Sequence, residues 1–369
     1  MNVEVIFWII IIIIIFDYLL DQILDYLNYK SIQEKVPPQL QGIYDDDKYE
    51  ESQRYSKENM VFSFFTSTFS FIIILFLLFG FGFAFLDDYV RSITPNDYLR
   101  TILFFGIFGL AMDIISIPFQ LYGTFVLENR FGFNKTTPLI FATDKVKSWF
   151  LSAIIAGGLL LFVMWAWKET GPWFWIIVMG GMSIFMIFMT MFYSRIIVPI
   201  FNKQTPLEDG SLKVSINEFA NKAQFKIDNI FVIDGSKRST KANAYFTGLG
   251  SKKRIVLYDT LINDLSNEEI VAVLAHEVGH NKLKHVITGL IISMLQSGLM
   301  LVLLYFALGS PDLSLAMGAT DASFYMGVLA FGLLFSPISR ILGIFSNIIS
   351  RRNEYQADRF ASKYGLAKH

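Results

Sequence analysis

The stretch VFSFFTSTFSFIIILFLLFGFGFAFL, residues 61–86, runs for 26 residues without a charged side chain. A helix rises about 1.5 Å per residue, so roughly 20 apolar residues cross a hydrocarbon core of ~30 Å. Six further runs meet that length: 3–26, 99–126, 149–167, 173–200, 286–308 and 324–349. The whole chain agrees with them, since 53% of its 369 residues are hydrophobic and 37 are Phe. The fold class this implies is an all-α multi-pass membrane protein with seven transmembrane helices. Net charge is −1 and the basic residues are scattered, which argues against a nucleic-acid partner. The chain has no Cys, so a metal site must be built from His and carboxylates. The first run lacks a basic leader and passes straight into Tyr18-Leu19-Leu20, so it reads as a retained helix, not a cleaved signal.

Lys and Arg distribute unevenly between the connections. Lys30, Lys35, Lys48, Arg54 and Lys57 follow the first run, and Arg130, Lys135, Lys145 and Lys147 follow the third. The opposite side carries only Arg91, Arg100 and Lys168, and the sixth connection, 310–323, has no basic residue. The positive-inside rule then puts the N-terminus outside and Arg351, Arg352 and Arg359 in the cytosol. Asp17, Asp21 and Asp25 fall four apart, giving the last turns of the first helix a polar face expected to leave the lipid. Asp113 lies in mid-run, where a carboxylate faces protein or water; a structural and a functional role are both open for it.

The long polar insertion, 201–285, lies on the basic side. Helical spacing over 211–223 is followed by three short strands, 230–233, 244–247 and 254–258, the last two forming a hairpin around Gly248 and Gly250. Ser266 and Glu269 make a capping box, opening a helix expected to hold through 269–285.

Inside that helix lies His276-Glu277-Val278-Gly279-His280. Positions i and i+4 share a helix face, so both imidazoles can grip one ion. Glu277 can reach a water on the metal without binding the metal, and zinc lowers such a water's pKa toward ~7, within range of a carboxylate base. The bland alternatives are a capped amphipathic helix with coincidental His, or a retained motif in a protein that has lost activity. A catalytic zinc needs a third protein ligand. The seventh run returns to the face where the motif lies and ends at Arg351-Arg352-Asn353-Glu354-Tyr355-Gln356-Ala357-Asp358. Glu354 is therefore the expected third ligand, from just beyond the seventh helix. Asp358, one turn on, is expected to accept a hydrogen bond from the far nitrogen of a ligand imidazole. His285, off the ligand face, reads more readily as a surface or helix-end residue than as a ligand, with a functional role left open, and His369 reads as a terminal residue.

With these residues in place, the chain resembles the integral-membrane CAAX prenyl proteases of the a-factor-converting type, zinc enzymes of the gluzincin kind. The likeness runs through 125–135, Pro199-Ile200-Phe201-Asn202-Lys203, Ser236-Lys237-Arg238-Ser239, Asn243-Ala244-Tyr245-Phe246-Thr247-Gly248 and 255–260, to the HEVGH and NEYQAD motifs. The resemblance implies a water-filled chamber enclosed by the helices, one Zn2+ per chain near its cytosolic cap, and cleavage near a C-terminal lipidated cysteine. It also assigns Asn243, Ala244, Tyr245 and Phe246 to the substrate backbone, which agrees with the capacity of an exposed strand edge to pair with an extended peptide; a tight hairpin with a buried Tyr and Phe is the plainer alternative. Similar proteins continue past this helix and supply a His and an Arg. This chain stops 15 positions after Glu354, and that role is not carried over to His369.

The expected organisation is transmembrane helices one to five over 1–200, a cytosolic α+β insertion over 201–285, helices six and seven over 286–349, and a C-terminal segment over 350–369 carrying the third ligand. The expected protein is a monomeric zinc endopeptidase of a bacterial inner membrane or endoplasmic-reticulum type membrane, with its site on the cytosolic side. Its partners are the bilayer and a peptide or lipidated peptide. Two rivals stand beside it: a quality-control zinc protease with no lipid requirement, and an inactive chamber or transport scaffold.

Overall fold

The computed structural model describes residues 2–33, 35–38, 41–43, 45–225, 229–248 and 254–364; Gly250 and His369 lie outside that set. Among the described residues seven helices are long and apolar enough to cross a membrane: Val3–Ser31, Asp46–Phe79, Asp97–Arg130, Pro138–Glu169, Gly171–Phe201, His285–Leu308 and Phe324–Ser362. Each overlaps one of the runs read from the sequence. A helix satisfies its backbone polar groups internally, which is what a lipid-facing segment requires.

Two boundaries differ from expectation. The run 61–86 does not form one helix: it ends at Phe79, and a second helix, Gly82–Ile93, starts after Phe81 at φ 55. Gly80 caps the first piece by donating its N–H to Phe76 O at 2.8 Å. A Cβ on Gly80 would stand 2.6 Å from the backbone oxygen of Phe76, so the corner depends on a residue without one there. The composition stays apolar across this corner, and a hydropathy reading passes over it. The last helix, conversely, does not stop near residue 349 but carries Glu354 and Asp358 on its own final turns. Arg351, Arg352 and Asn353 end the apolar stretch without supplying a cap or a proline, so polarity changes there and backbone geometry does not.

The chain divides into two compact units. The first comprises Met1–Gly132, Leu151–Gly171 and Val302–Arg340. Its core gathers Ile6, Ile10, Phe83, Phe104, Tyr325 and Met326. Within it Arg340 reaches Asp17 at 3.2 Å and grips both oxygens of Asp21 at 2.6 and 3.1 Å, so two of the three aspartates of the first helix face the last helix. Buried Asp87 accepts from the Tyr325 hydroxyl and from Arg91. Asp113 accepts from Gln120 at 3.3 Å.

The second unit comprises Phe133–Phe150, Pro172–Leu301 and Ile341–His369. Its sheet has β1 (Gln204–Pro206), β2 (Ile230–Ile233), β3 (Ala244–Thr247) and β4 (Arg254–Tyr258), in spatial order β1-β2-β4-β3. β1 and β2 are antiparallel, β2 and β4 parallel, and β3 and β4 antiparallel with Tyr245 opposite Val256. β2, β3 and β4 fall where the sequence places them; β1 was not expected. It is three residues long and ends in Pro206, whose missing N–H is tolerated at a sheet edge. Helices Ser211–Lys222 and Asn267–Lys282 cover the sheet with Leu212, Ile216 and Phe219 from one and Ile270, Leu274 and Val278 from the other. The paired guanidinium of Arg238 fixes the sheet to the fourth span through Asp144 at 2.8 and 2.9 Å.

Candidate active site

The capping box is formed: Ser266 Oγ accepts from the Glu269 N–H, and the Glu269 carboxylate from the Ser266 N–H. The helix it opens ends at Lys282, three residues short of the expected 285, because Lys284 turns left-handed at φ 61. The next helix begins at His285, and this corner brings His285 back toward the motif. Gly279 faces the last helix, where an added Cβ would meet Ala357 Cα and Phe360 Cβ at 3.2 Å. That close approach lets Glu354 arrive opposite the two imidazoles.

His276 Nε2 and His280 Nε2 are 3.1 Å apart, and Glu354 Oε2 lies 3.2 Å from the first and 3.5 Å from the second. A tetrahedral site with Zn–N and Zn–O bonds of ~2.05 Å has ligand–ligand edges of about 3.3 Å. The three donor atoms therefore stand at the separations one small divalent cation imposes. The hydrogen bonds behind them set the tautomers. His276 Nδ1–H donates to Asp358 Oδ1 at 2.8 Å, since an ionised carboxylate only accepts. His285 Nε2–H donates to Gln356 Oε1 at 3.0 Å, leaving its Nδ1 to accept from His280 Nδ1–H at 3.0 Å. Both Nε2 atoms are thus lone pairs aimed at one point beside a carboxylate oxygen, an arrangement that repels itself without a cation. Among the described residues these three side chains form the one His and carboxylate group able to hold a metal, their ligand atoms lying within 4.8 Å of one another.

Burial pulls the His280 imidazole below its ordinary pKa, against the opposing pull of Glu354, so it is held in the neutral form a metal requires. Burial pushes the Glu277 carboxyl above the usual carboxylate range. The negative charge of Glu354 adds to that, while His276 and the Phe246 N–H, which donates to Glu277, oppose it.

Phe246 sits on β3, an edge strand. The Tyr258 N–H donates to Asn243 O, which fixes the alternation: Asn243 and Tyr245 turn their backbone groups toward β4, and Ala244 and Phe246 turn theirs outward, on the Glu277 side. Tyr245 Oη lies 3.3 Å from Ser194 Oγ, anchoring the strand to the fifth span.

The structure brings His276, His280, Glu354, Asp358 and Glu277 together and sets Asn243–Phe246 alongside. It also buries His285, only 7% exposed, where the sequence favours a surface or helix-end residue, and engages Gln356, which the sequence did not single out. His285 is five residues from His280, a spacing that looks wrong on a continuous helix and becomes right only with the left-handed corner at Lys284.

Residues 25–203 match the family described as CAAX prenyl protease N-terminal, five membrane helices, and residues 206–369 match peptidase family M48. The chain is 34% identical to CAAX prenyl protease 1 of Saccharomyces cerevisiae over 94% of its length and 82% of the relative's. It is 32% identical to the Homo sapiens homolog of that protease, covering 90% and 80%. It superposes on the crystal structure of S. mikatae Ste24p with a TM-score of 0.91 at 33% identity, over 98% of this chain and 89% of that one. A multi-pass helical fold with this His and Glu cluster defines an integral-membrane metallopeptidase. Within that class the chain belongs to peptidase family M48, in the CAAX prenyl protease 1 group.

Proposed function

We propose that this chain is a zinc endopeptidase that cleaves near the C-terminus of prenylated CAAX-type proteins at the cytosolic face of its membrane, acting as a monomer. The observation that carries the reading is the triangle of 3.1, 3.2 and 3.5 Å among His276, His280 and Glu354, which suits one Zn2+ per chain. Every donor comes from the same chain, which supports function without a partner copy. When bound, zinc supplies a Lewis acid that polarises the scissile carbonyl and acidifies the attacking water.

The chain's own residues do the rest. Glu277 takes a proton from the attacking water and delivers it to the leaving amine, a task suited to a carboxyl raised by burial. The outward backbone groups of Ala244 and Phe246 pair with an extended substrate, as a strand added to the edge of the sheet, and hold its amide over Glu277. Asp358 orients His276 by its hydrogen bond. His285 and Gln356 do the same for His280. The Lys and Arg asymmetry of the connections supports the cytosolic placement, and the two family matches meet at residues 203–206, beside the proposed boundary at 200/201.

The test is an assay of the purified chain on matched farnesylated and unprenylated peptides, with and without chelator. Cleavage of the farnesylated peptide that is lost with chelator and regained with zinc is expected. Equal cleavage of both peptides would point instead to a quality-control protease, and metal bound without cleavage of either to a scaffold.

A further inference from the structure

A cleft of about 740 Å³ lies where the last turns of the fifth span and the first turns of the fourth meet the β1 and β2 side of the sheet. Five cationic side chains line it, Lys147, Arg195, Lys203, Lys237 and Arg254, against the single carboxylate of Asp234. That carboxylate is already engaged, its Oδ1 accepting from Asn202 Nδ2 at 3.0 Å and from the Lys203 N–H at 2.8 Å.

Arg254 is the decisive residue. It is 7% exposed, and among the described residues it meets no carboxylate. Its guanidinium stacks 3.8 Å from the centre of the Phe231 ring, and its Nη1 touches Ser194 O at 3.5 Å, the outer limit of a hydrogen bond. Burial and the like charge of Arg195 both act against its protonated form. A buried cation is ordinarily paired, because removing it from water is costly and a second cation beside it adds to the cost. Peptidase chemistry gives no reason to gather five cations here. A doubly charged, multi-oxygen anion does: guanidinium forks and ammonium groups converging on one concavity is the arrangement that recognises phosphate.

We infer that this cleft is a binding site for a phosphate-bearing anion, formed by Arg254 at its floor and by Arg195, Lys203 and Lys237 around it. Two sources share that chemistry, the headgroup of an anionic phospholipid and a soluble phosphate compound. The site adjoins the ends of two membrane spans, where basic pockets take lipid headgroups, and its volume exceeds what a bare phosphate needs. The inference does not rest on the catalytic reading.

The test uses the full chain purified in dodecyl maltoside micelles, with the thermal midpoint and bound lipid by native mass spectrometry as readouts. Three probes are compared at constant ionic strength: dioctanoyl phosphatidylinositol 4-phosphate, dioctanoyl phosphatidylcholine and inorganic phosphate. The anionic lipid is expected to bind and raise the midpoint while phosphatidylcholine does not. The double variant Arg195→Gln, Lys203→Gln should weaken that binding about 30-fold, at roughly 1 kcal/mol per removed charge. The pair Lys30→Gln, Lys48→Gln, outside the cleft, should leave it unchanged. A midpoint rise with inorganic phosphate equal to that with the lipid, lost in the cleft variant, identifies a soluble source. A rise with the lipid alone identifies the headgroup. Equal binding of both lipids, undiminished binding by the cleft variant, or equal loss in both variants would overturn the site. Because Arg254→Gln risks misfolding, the variants at the cleft walls carry the test.

Discussion

At the scale of single residues, the site is a set of hydrogen bonds that choose which nitrogen of each imidazole is free. Glu277→Gln should retain zinc and lower kcat by a factor of ~10²–10⁴, the usual range for losing a positioned proton acceptor. Measured zinc content together with undiminished turnover would remove Glu277 from its proposed role. The elevated pKa of Glu277 also sets a pH profile. The base works only when ionised, so kcat/KM should fall as pH drops through the elevated value, giving an acid limb above that of an ordinary carboxylate. Asp358→Asn and His285→Ala should each cost ~10–100-fold in metal affinity or activity, by freeing one ligand ring to rotate. A zinc titration in which His285→Ala matches the unmodified chain would mean that the His280 tautomer is set elsewhere. His276, His280, Glu354 and Asp358 were legible in the sequence because i, i+4 spacing on a helix is a geometric statement. His285 and Gln356 were not, since their relevance depends on a corner at Lys284 for which no glycine or proline gives notice.

At the scale of elements, the packing of the motif helix on the last helix matters as much as the ligands. Gly279 lets the two backbones close, and a β-branched side chain there would meet Ala357 and Phe360 from 3.2 Å inward. Gly279→Val should therefore reduce zinc affinity about 10-fold or more, as expected from ~1–3 kcal/mol of overpacking, while helix content by circular dichroism is unchanged. Full zinc occupancy in that variant under mild chelation would show that the helices can separate without harm. Three of the four strands were readable because alternation and β-branched residues mark them, with β4 buried through Ile255, Val256 and Leu257. β1 carries too few residues for a period to be seen. The corner at Gly80–Gly82 was hidden for a different reason: lipid rewards apolar side chains on both sides of it, so composition does not change where the backbone does.

At the scale of the whole molecule, a bound metal would cross-link the insertion to the last helix. Ligand that binds only the folded state stabilises it by RT ln(1 + [L]/Kd), about 4 kcal/mol when zinc is 1,000 times its dissociation constant. Chelation should lower the thermal midpoint of the unmodified chain, and Glu354→Ala should lower it beforehand and make it insensitive to chelator. A chelator response that survives in Glu354→Ala would place the stabilising ion elsewhere. The seven spans and their order were legible from hydropathy alone. The division into two compact units was not, because each unit gathers segments far apart along the chain.

The clasp of Arg340 on Asp17 and Asp21 also bears on biogenesis. Its partners are 323 and 319 positions apart. A ribosome adding ~5–20 residues per second needs roughly 20–60 s to deliver the arginine after the aspartates have emerged. For that interval Asp17 and Asp21 of the nascent first helix wait for the guanidinium that faces them in the folded chain, so this helix completes its docking only once the final segment is made.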